Sequence, residues 1–362
     1  MRNYGIIISL LFGLPLFVWS QGEREKYVKF NYYYGTLLPH HSSIEYIANS
    51  SVRGASLEYS IENDLSNYWD VIYRKPQIGV GYYFGSLGND SIFSNAHALY
   101  SFFEAPFISN KRFRLDYSIN LGMAYLPGVY DDEDNNLNIA IGSNLNVYLR
   151  FGLEATYRLL PKLHIFQGAF VSHISNGAVL EPNLGLNHVM LASGIRYQFH
   201  SETAMFEAEP EEYGKNHLDA ALSFGIKQIS NFSDEKFNVN SFTFSYLRNV
   251  SKKRSLGLGF DYFYDPSVPQ VAYEFLMDED DVDLEEFNRI GIHVRQDLQY
   301  KRVIMTLQLG IYVYNKNPKI DQPLYQRYGF KFLATENIYG IVALKSHYGK
   351  ADFVEWGIGY LL

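Results

Sequence analysis

From residue 27 onward, apolar and polar positions alternate with a period of two, the pattern of strands that show one greasy and one polar face. Between Leu145 and Tyr157, the residues Leu145, Val147, Leu149, Phe151, Leu153, Ala155 and Tyr157 interleave with Asn146, Tyr148, Arg150, Gly152, Glu154 and Thr156. Phe113–Tyr125 and Arg289–Tyr300 repeat the pattern. Sixteen strands are expected, near 27–36, 52–62, 77–85, 95–104, 113–125, 143–158, 162–174, 187–199, 217–230, 238–249, 254–264, 288–299, 301–314, 325–334, 337–347 and 352–362.

Alternation alone does not say which face turns inward. Length does more: runs of roughly a dozen residues exceed the usual globular strand and suit a tilted membrane crossing of ~9–11 residues plus its ends. Links after even strands are often tight, as at Ser109-Asn110-Lys111, Pro161 and Thr335-Glu336, whereas 126–142, 175–186 and 265–287 are longer and polar. Short turns at one end and long loops at the other are the habit of outer-membrane barrels. The expected fold is therefore all-β, an antiparallel transmembrane β-barrel of about 16 strands. A single barrel is the first expectation; the alternative is an eight-stranded barrel followed by a second eight-stranded half. The acidic segment around Pro210, with Glu207, Glu209, Glu211 and Glu212, separates the halves. Expected regions are 1–20, 21–205 and 206–362.

Composition sharpens this picture. Aromatics make up 17 % of the 362 residues, which suits girdles at two membrane interfaces. A net charge of −8 does not give the basic face of a nucleic-acid binder, and with no cysteine there are no disulfides or thiolate metal sites. Arg2, the apolar run Gly5–Trp19 and the small residues Val18 and Ser20 read as an export signal cleaved near Ser20. Beyond residue 20 no run is apolar enough for a membrane helix, which leaves a closed barrel as the way to span. Acidic stretches at Asp131–Asn136 and Asp278–Glu286 read as solvated loops, and no metal motif or cofactor motif is found.

The segment that bears on chemistry is Phe170–Phe199, which holds His173-Ile174-Ser175-Asn176-Gly177, then Pro182-Asn183-Leu184-Gly185, then Asn187. His173 and Ser175 share the parity of Val171, so an outward apolar face brings both with it. Polar groups on a lipid-facing surface are costly and must sit at the interface or serve a purpose. Two readings stand at this point: a girdle-level turn with satisfied polar groups, or a base beside its nucleophile.

His173-Ile-Ser175-Asn176 followed by Pro182-Asn183-x-Gly185 resembles the signature of PagL-type lipid A 3-O-deacylases, also called acyloxyacyl hydrolases. The motif covers residues 170–199, and the eight-strand organisation extends the resemblance over 22–200. It implies an outer-membrane esterase that removes a 3-hydroxyacyl chain from lipid A (lipopolysaccharide), without a cofactor. By resemblance Ser175 is the nucleophile, His173 the base and Asn183 an oxyanion donor, with Asn176 and Gly177 in support. The family's acidic third member falls at Asn187, a departure; Glu181 is the alternative. The rival is a non-catalytic porin or structural barrel in which Arg150, Glu154 and Arg295 line a channel. In the second half, His347-Tyr348-Gly349 has no serine two residues after its histidine, so 206–362 is expected to be non-catalytic.

Overall fold

A computed structural model describes residues 24–63, 65, 67–199, 216–275, 277, 282–320 and 322–362. The expected export signal and the acidic link around Pro210 lie outside the described residues. The chain divides into two compact units. One holds the described residues up to Asn176 and those from Asn183 to Phe199; the other holds Gly177–Pro182 and the described residues from Asn216 onward.

The first unit is built from β1 (Glu25–Leu37), β2 (Ser51–Glu62), β3 (Gln77–Ser86), β4 (Asn95–Ser109), β5 (Phe113–Tyr125), β6 (Leu145–Leu160), β7 (Leu163–Ser175) and β8 (Leu186–Gln198). The second contains β9 (Asn216–Gln228), β10 (Lys236–Ser251), β11 (Arg254–Tyr264), β12 (Asn288–Tyr300), β13 (Val303–Asn315), β14 (Leu324–Leu333), β15 (Ile338–His347) and β16 (Lys350–Leu361). Every expected strand is present. The links also carry short helical turns that alternation does not signal, at Ser42–Ile47, Tyr68–Ile72, Asp90–Phe93 and Val268–Glu274.

Closure differs from the first expectation. A single barrel would pair β8 with β9 and β16 with β1. Instead β8 returns to β1, from Tyr27↔Gln198 to Leu37↔His188, and β16 returns to β9, from Glu355↔Gly225 to Leu361↔Asp219. The protein forms two closed eight-stranded antiparallel barrels rather than one of sixteen. Each strand's pattern is satisfied equally by either closure, because alternation fixes the face and not the neighbour.

The faces are inside-out relative to a soluble protein. Along β7 the exposed Ile165, Ala169 and Val171 alternate with buried His164, Phe166 and Phe170. Charge lies within. In the first barrel Lys29 Nζ lies 2.8 Å from Glu58, 2.7 Å from Glu104 and 3.0 Å from Glu154, and Arg196 joins Glu104 at 2.9 Å and Glu154 at 2.7 Å. In the second, Arg295 lies 2.7 Å from Asp219 and Arg327 2.7 Å from Asp261. An eight-stranded barrel is only wide enough for its side chains to fill it. Accordingly Arg150, Glu154 and Arg295, the residues that would line a porin channel, are buried and ion-paired.

At the end of the first barrel where β7 finishes, apolar side chains from three connections pack together. Ile44 and Ile47 meet Leu87, Ile92, Phe93, Leu126, Ala140 and Ile141 over Ile174 and Leu186. This layer gives the loops a fixed floor on which the polar residues near the strand ends are set.

Candidate active site

The site grows from the β7–β8 pair. In its antiparallel register His173 stands directly opposite Asn187, and Val171 opposite Val189. Side chains of such opposed residues point to the same face with Cβ atoms ~4.5–5.5 Å apart, close enough for direct contact. Val171 is 51 % exposed on the outer surface, so His173, two residues on, belongs to that surface. Its imidazole Nδ1 lies 2.7 Å from Asn187 Oδ1 and its Nε2 lies 2.8 Å from Ser175 Oγ. Ser175 is 5 % exposed, beneath the turn that leads into β8.

That turn depends on Gly185. It has φ +76°, a conformation that favours glycine, and a Cβ there would fall 2.9 Å from His173 Cε1 and 3.3 Å from Ser175 Cβ. Its N–H donates to Ala140 O at 2.9 Å, so the β5–β6 loop pins the turn. Asn183 accepts the Asn176 N–H on Oδ1 at 2.9 Å, which folds the two asparagines against each other. Asn176 Nδ2 donates to Ser143 Oγ at 3.0 Å.

His40 also belongs to this cluster and was not singled out in the sequence. Its Nδ1 lies 2.9 Å from Asn187 Nδ2 and its Nε2 lies 2.9 Å from Leu184 O. It arrives because β1 closes the barrel against β8: Leu38 N–H donates to Asn187 O at 2.8 Å, and His40 follows two residues later. A lone histidine in a loop at a sequence distance of 147 residues gives no signal of its own; only the closure brings it here.

Of the residues singled out in the sequence, His173, Ser175, Asn176, Asn183 and Asn187 come together. Glu181 does not partner His173; it and Gly177 group with the second unit, where the Glu181 N–H donates to Gln228 Oε1 at 3.3 Å. An imidazole that donates through Nδ1 to an amide oxygen has its Nε2 lone pair turned to the serine hydroxyl. That arrangement can take a proton from the hydroxyl. Among the described residues no three histidine, aspartate or glutamate side chains are grouped as metal ligands.

The second barrel contains a superficially similar chain. Ser245 Oγ lies 3.0 Å from His293 Nε2, and His293 Nδ1 lies 2.8 Å from Asp261 Oδ2. It faces the interior, not the outer surface. All three side chains are buried, Arg295 also donates to Ser245, and Arg327 and Tyr325 donate to Asp261. His347, the counterpart weighed in the sequence, lies 3.1 Å from Tyr312 Oη.

A closed barrel, apolar outside and ionic within, with a polar relay at one rim of its outer face, is the build of an integral outer-membrane barrel protein. Two family models match the chain. Lipid A 3-O-deacylase (PagL) covers residues 53–196, and acyloxyacyl hydrolase, C-terminal domain, covers residues 216–362. The chain belongs to the PagL family of lipid A deacylases, hydrolases of the outer membrane. No curated protein sequence matches it. Among solved structures, Neisserial surface protein A is similar at 12 % identity over 48 % of this chain and 97 % of its own, with a TM-score of 0.34. Omp33 from Acinetobacter baumannii shows 10 % identity over 94 % and 99 % of the two chains, with a TM-score of 0.17. The Pseudomonas putida toluene transporter TodX shows 7 % identity over 94 % and 89 %, with a TM-score of 0.19. The fold rests on the strand pairing, not on likenesses of this size.

Proposed function

We propose that the first barrel is a serine esterase that removes an ester-linked 3-hydroxyacyl chain from lipid A in the outer leaflet. The observation that carries this reading is the 2.8 Å approach of His173 Nε2 to Ser175 Oγ on the outward face of a family member's barrel. Lipid A reaches such a site laterally, within the membrane.

The chemistry follows from the relay. Ser175 Oγ attacks the ester carbonyl carbon while its proton passes to His173 Nε2. The carbonyl π pair moves to oxygen. Asn183, with its own carbonyl tied to the Asn176 N–H, has its amide NH₂ as a donor for that oxyanion, and Asn176 supports it. Collapse expels the sugar oxygen, which takes the proton from His173 and leaves an acyl-serine. Water then repeats the two proton transfers and releases the 3-hydroxy acid. Asn187 holds the imidazole by its Nδ1–H, as an amide does in Cys-His-Asn proteases, but adds no charge to stabilise imidazolium. No step uses a metal or cofactor.

The second barrel, within the region 206–362, is proposed to be non-catalytic. Its Ser245–His293–Asp261 chain is saturated by interior partners, with no face turned to lipid. Export through a leader cleaved near Ser20 belongs to the same reading. The test is the lipid A acylation pattern of cells carrying Ser175→Ala.

A further inference from the structure

We infer that His40 is a positioning residue of this site: it fixes which way the Asn187 amide faces and so which nitrogen of His173 carries the proton. The inference rests on the serine-esterase reading and adds a fourth member to its relay.

Leu184 O can only accept, and His40 Nε2 lies 2.9 Å from it, so that nitrogen carries the proton. In a neutral imidazole the other nitrogen, Nδ1, is then an acceptor. The group 2.9 Å from Nδ1 must be a donor, which requires Asn187 to turn its NH₂ toward His40. Its oxygen therefore faces His173 Nδ1 at 2.7 Å, and that nitrogen must donate. His173 Nε2 is left with its lone pair toward Ser175 Oγ at 2.8 Å. One acceptor that cannot change roles thus sets the polarity of every link from Leu184 to the serine.

The alternative shows why the fourth member matters. An asparagine amide is symmetric in shape and can present either end. With NH₂ toward His173, the imidazole has to accept on Nδ1, its proton sits on Nε2, and it cannot take the serine proton. A carboxylate in place of Asn187 accepts at both oxygens and needs no such orientation. His40 supplies the directional information that an amide lacks.

The experiment uses the full chain folded in detergent–lipid micelles with purified lipid A as substrate. His40→Ala and Asn187→Asp are compared singly and together, with Ser175→Ala as reference. His40→Ala is expected to lower kcat by on the order of tenfold with KM unchanged, a fraction of the ~10⁴ lost when a triad histidine is held in the wrong tautomer. In the Asn187→Asp background the same substitution is expected to have little effect. Imidazole ¹⁵N spectra give a readout that needs no turnover: His173 is protonated at Nδ1 in the native protein and distributes over both nitrogens in His40→Ala. An equal loss in both backgrounds, or an unchanged His173 tautomer in His40→Ala, overturns the inference. Full activity in Ser175→Ala overturns instead the esterase reading beneath it.

Discussion

His173 and Asn187 stand directly opposite each other across the β7–β8 ladder, with Nδ1 2.7 Å from Oδ1. The strand register makes this contact, and no loop needs to fold for it. Asn187→Ala is expected to lower kcat by about 10²-fold, within the ~10²–10⁴ range of a positioned acid–base group. Asn187→Asp should equal or exceed the native rate, because a carboxylate accepts the same hydrogen bond and also stabilises imidazolium. Glu181→Ala should leave the rate unchanged, since Glu181 does not partner His173. Steady-state deacylation of lipid A by the three variants separates the two candidate third members.

Gly185 gives a prediction about space. An alanine there is strained at φ +76° and presses its methyl to 2.9 Å from His173 Cε1. The imidazole must move away from Ser175 or the turn must shift. Gly185→Ala is expected to cost on the order of 10²-fold in kcat, the scale of a ~1 Å misplacement of a reacting group. The barrel itself should survive, which gel mobility of heated and unheated samples will show.

Much of this was legible in the sequence. The strands Phe113–Tyr125 and Arg254–Tyr264 fall where alternation set them, because outward Leu115 and Tyr117 and inward Asp116 and Ser118 must separate whatever the neighbours do. His173 and Ser175 were legible for the same reason: they continue the parity of Val171. Closure was not legible. The β1–β8 pair depends on which free edges meet, and residue pattern says nothing of that. His40 was invisible for the same cause, since it reaches Asn187 only through that seam. The interior Ser245–His293–Asp261 chain was missed because its three residues lie on three different strands.

The lipid-facing surface can be tested without reference to chemistry. Leu191 is 58 % exposed in the middle stretch of β8. Leu191→Arg should destabilise the barrel in phospholipid vesicles by ~2–4 kcal/mol, the cost of an arginine at the bilayer midplane. On a water-facing surface the same change would stay within about 0.5 kcal/mol. Guanidinium unfolding in vesicles distinguishes the two.

The interior offers a complementary test. Lys29 holds Glu58, Glu104 and Glu154 together, at 2.8, 2.7 and 3.0 Å. Lys29→Met leaves three buried carboxylates with less compensating charge. Removal of one partner from a buried ion pair costs ~3–5 kcal/mol, and a loss of that size is expected in the same unfolding measurement. A loss below about 1 kcal/mol would mean that water already fills the interior.

The most direct test is mass spectrometry of lipid A from cells that express the native chain or Ser175→Ala at equal levels in the outer membrane. The native chain should yield lipid A lighter by one 3-hydroxyacyl group, with the free 3-hydroxy acid released, and the alanine variant should leave lipid A fully acylated. Equal deacylation by both, or none by the native chain, contradicts the assignment of Ser175 as the attacking group.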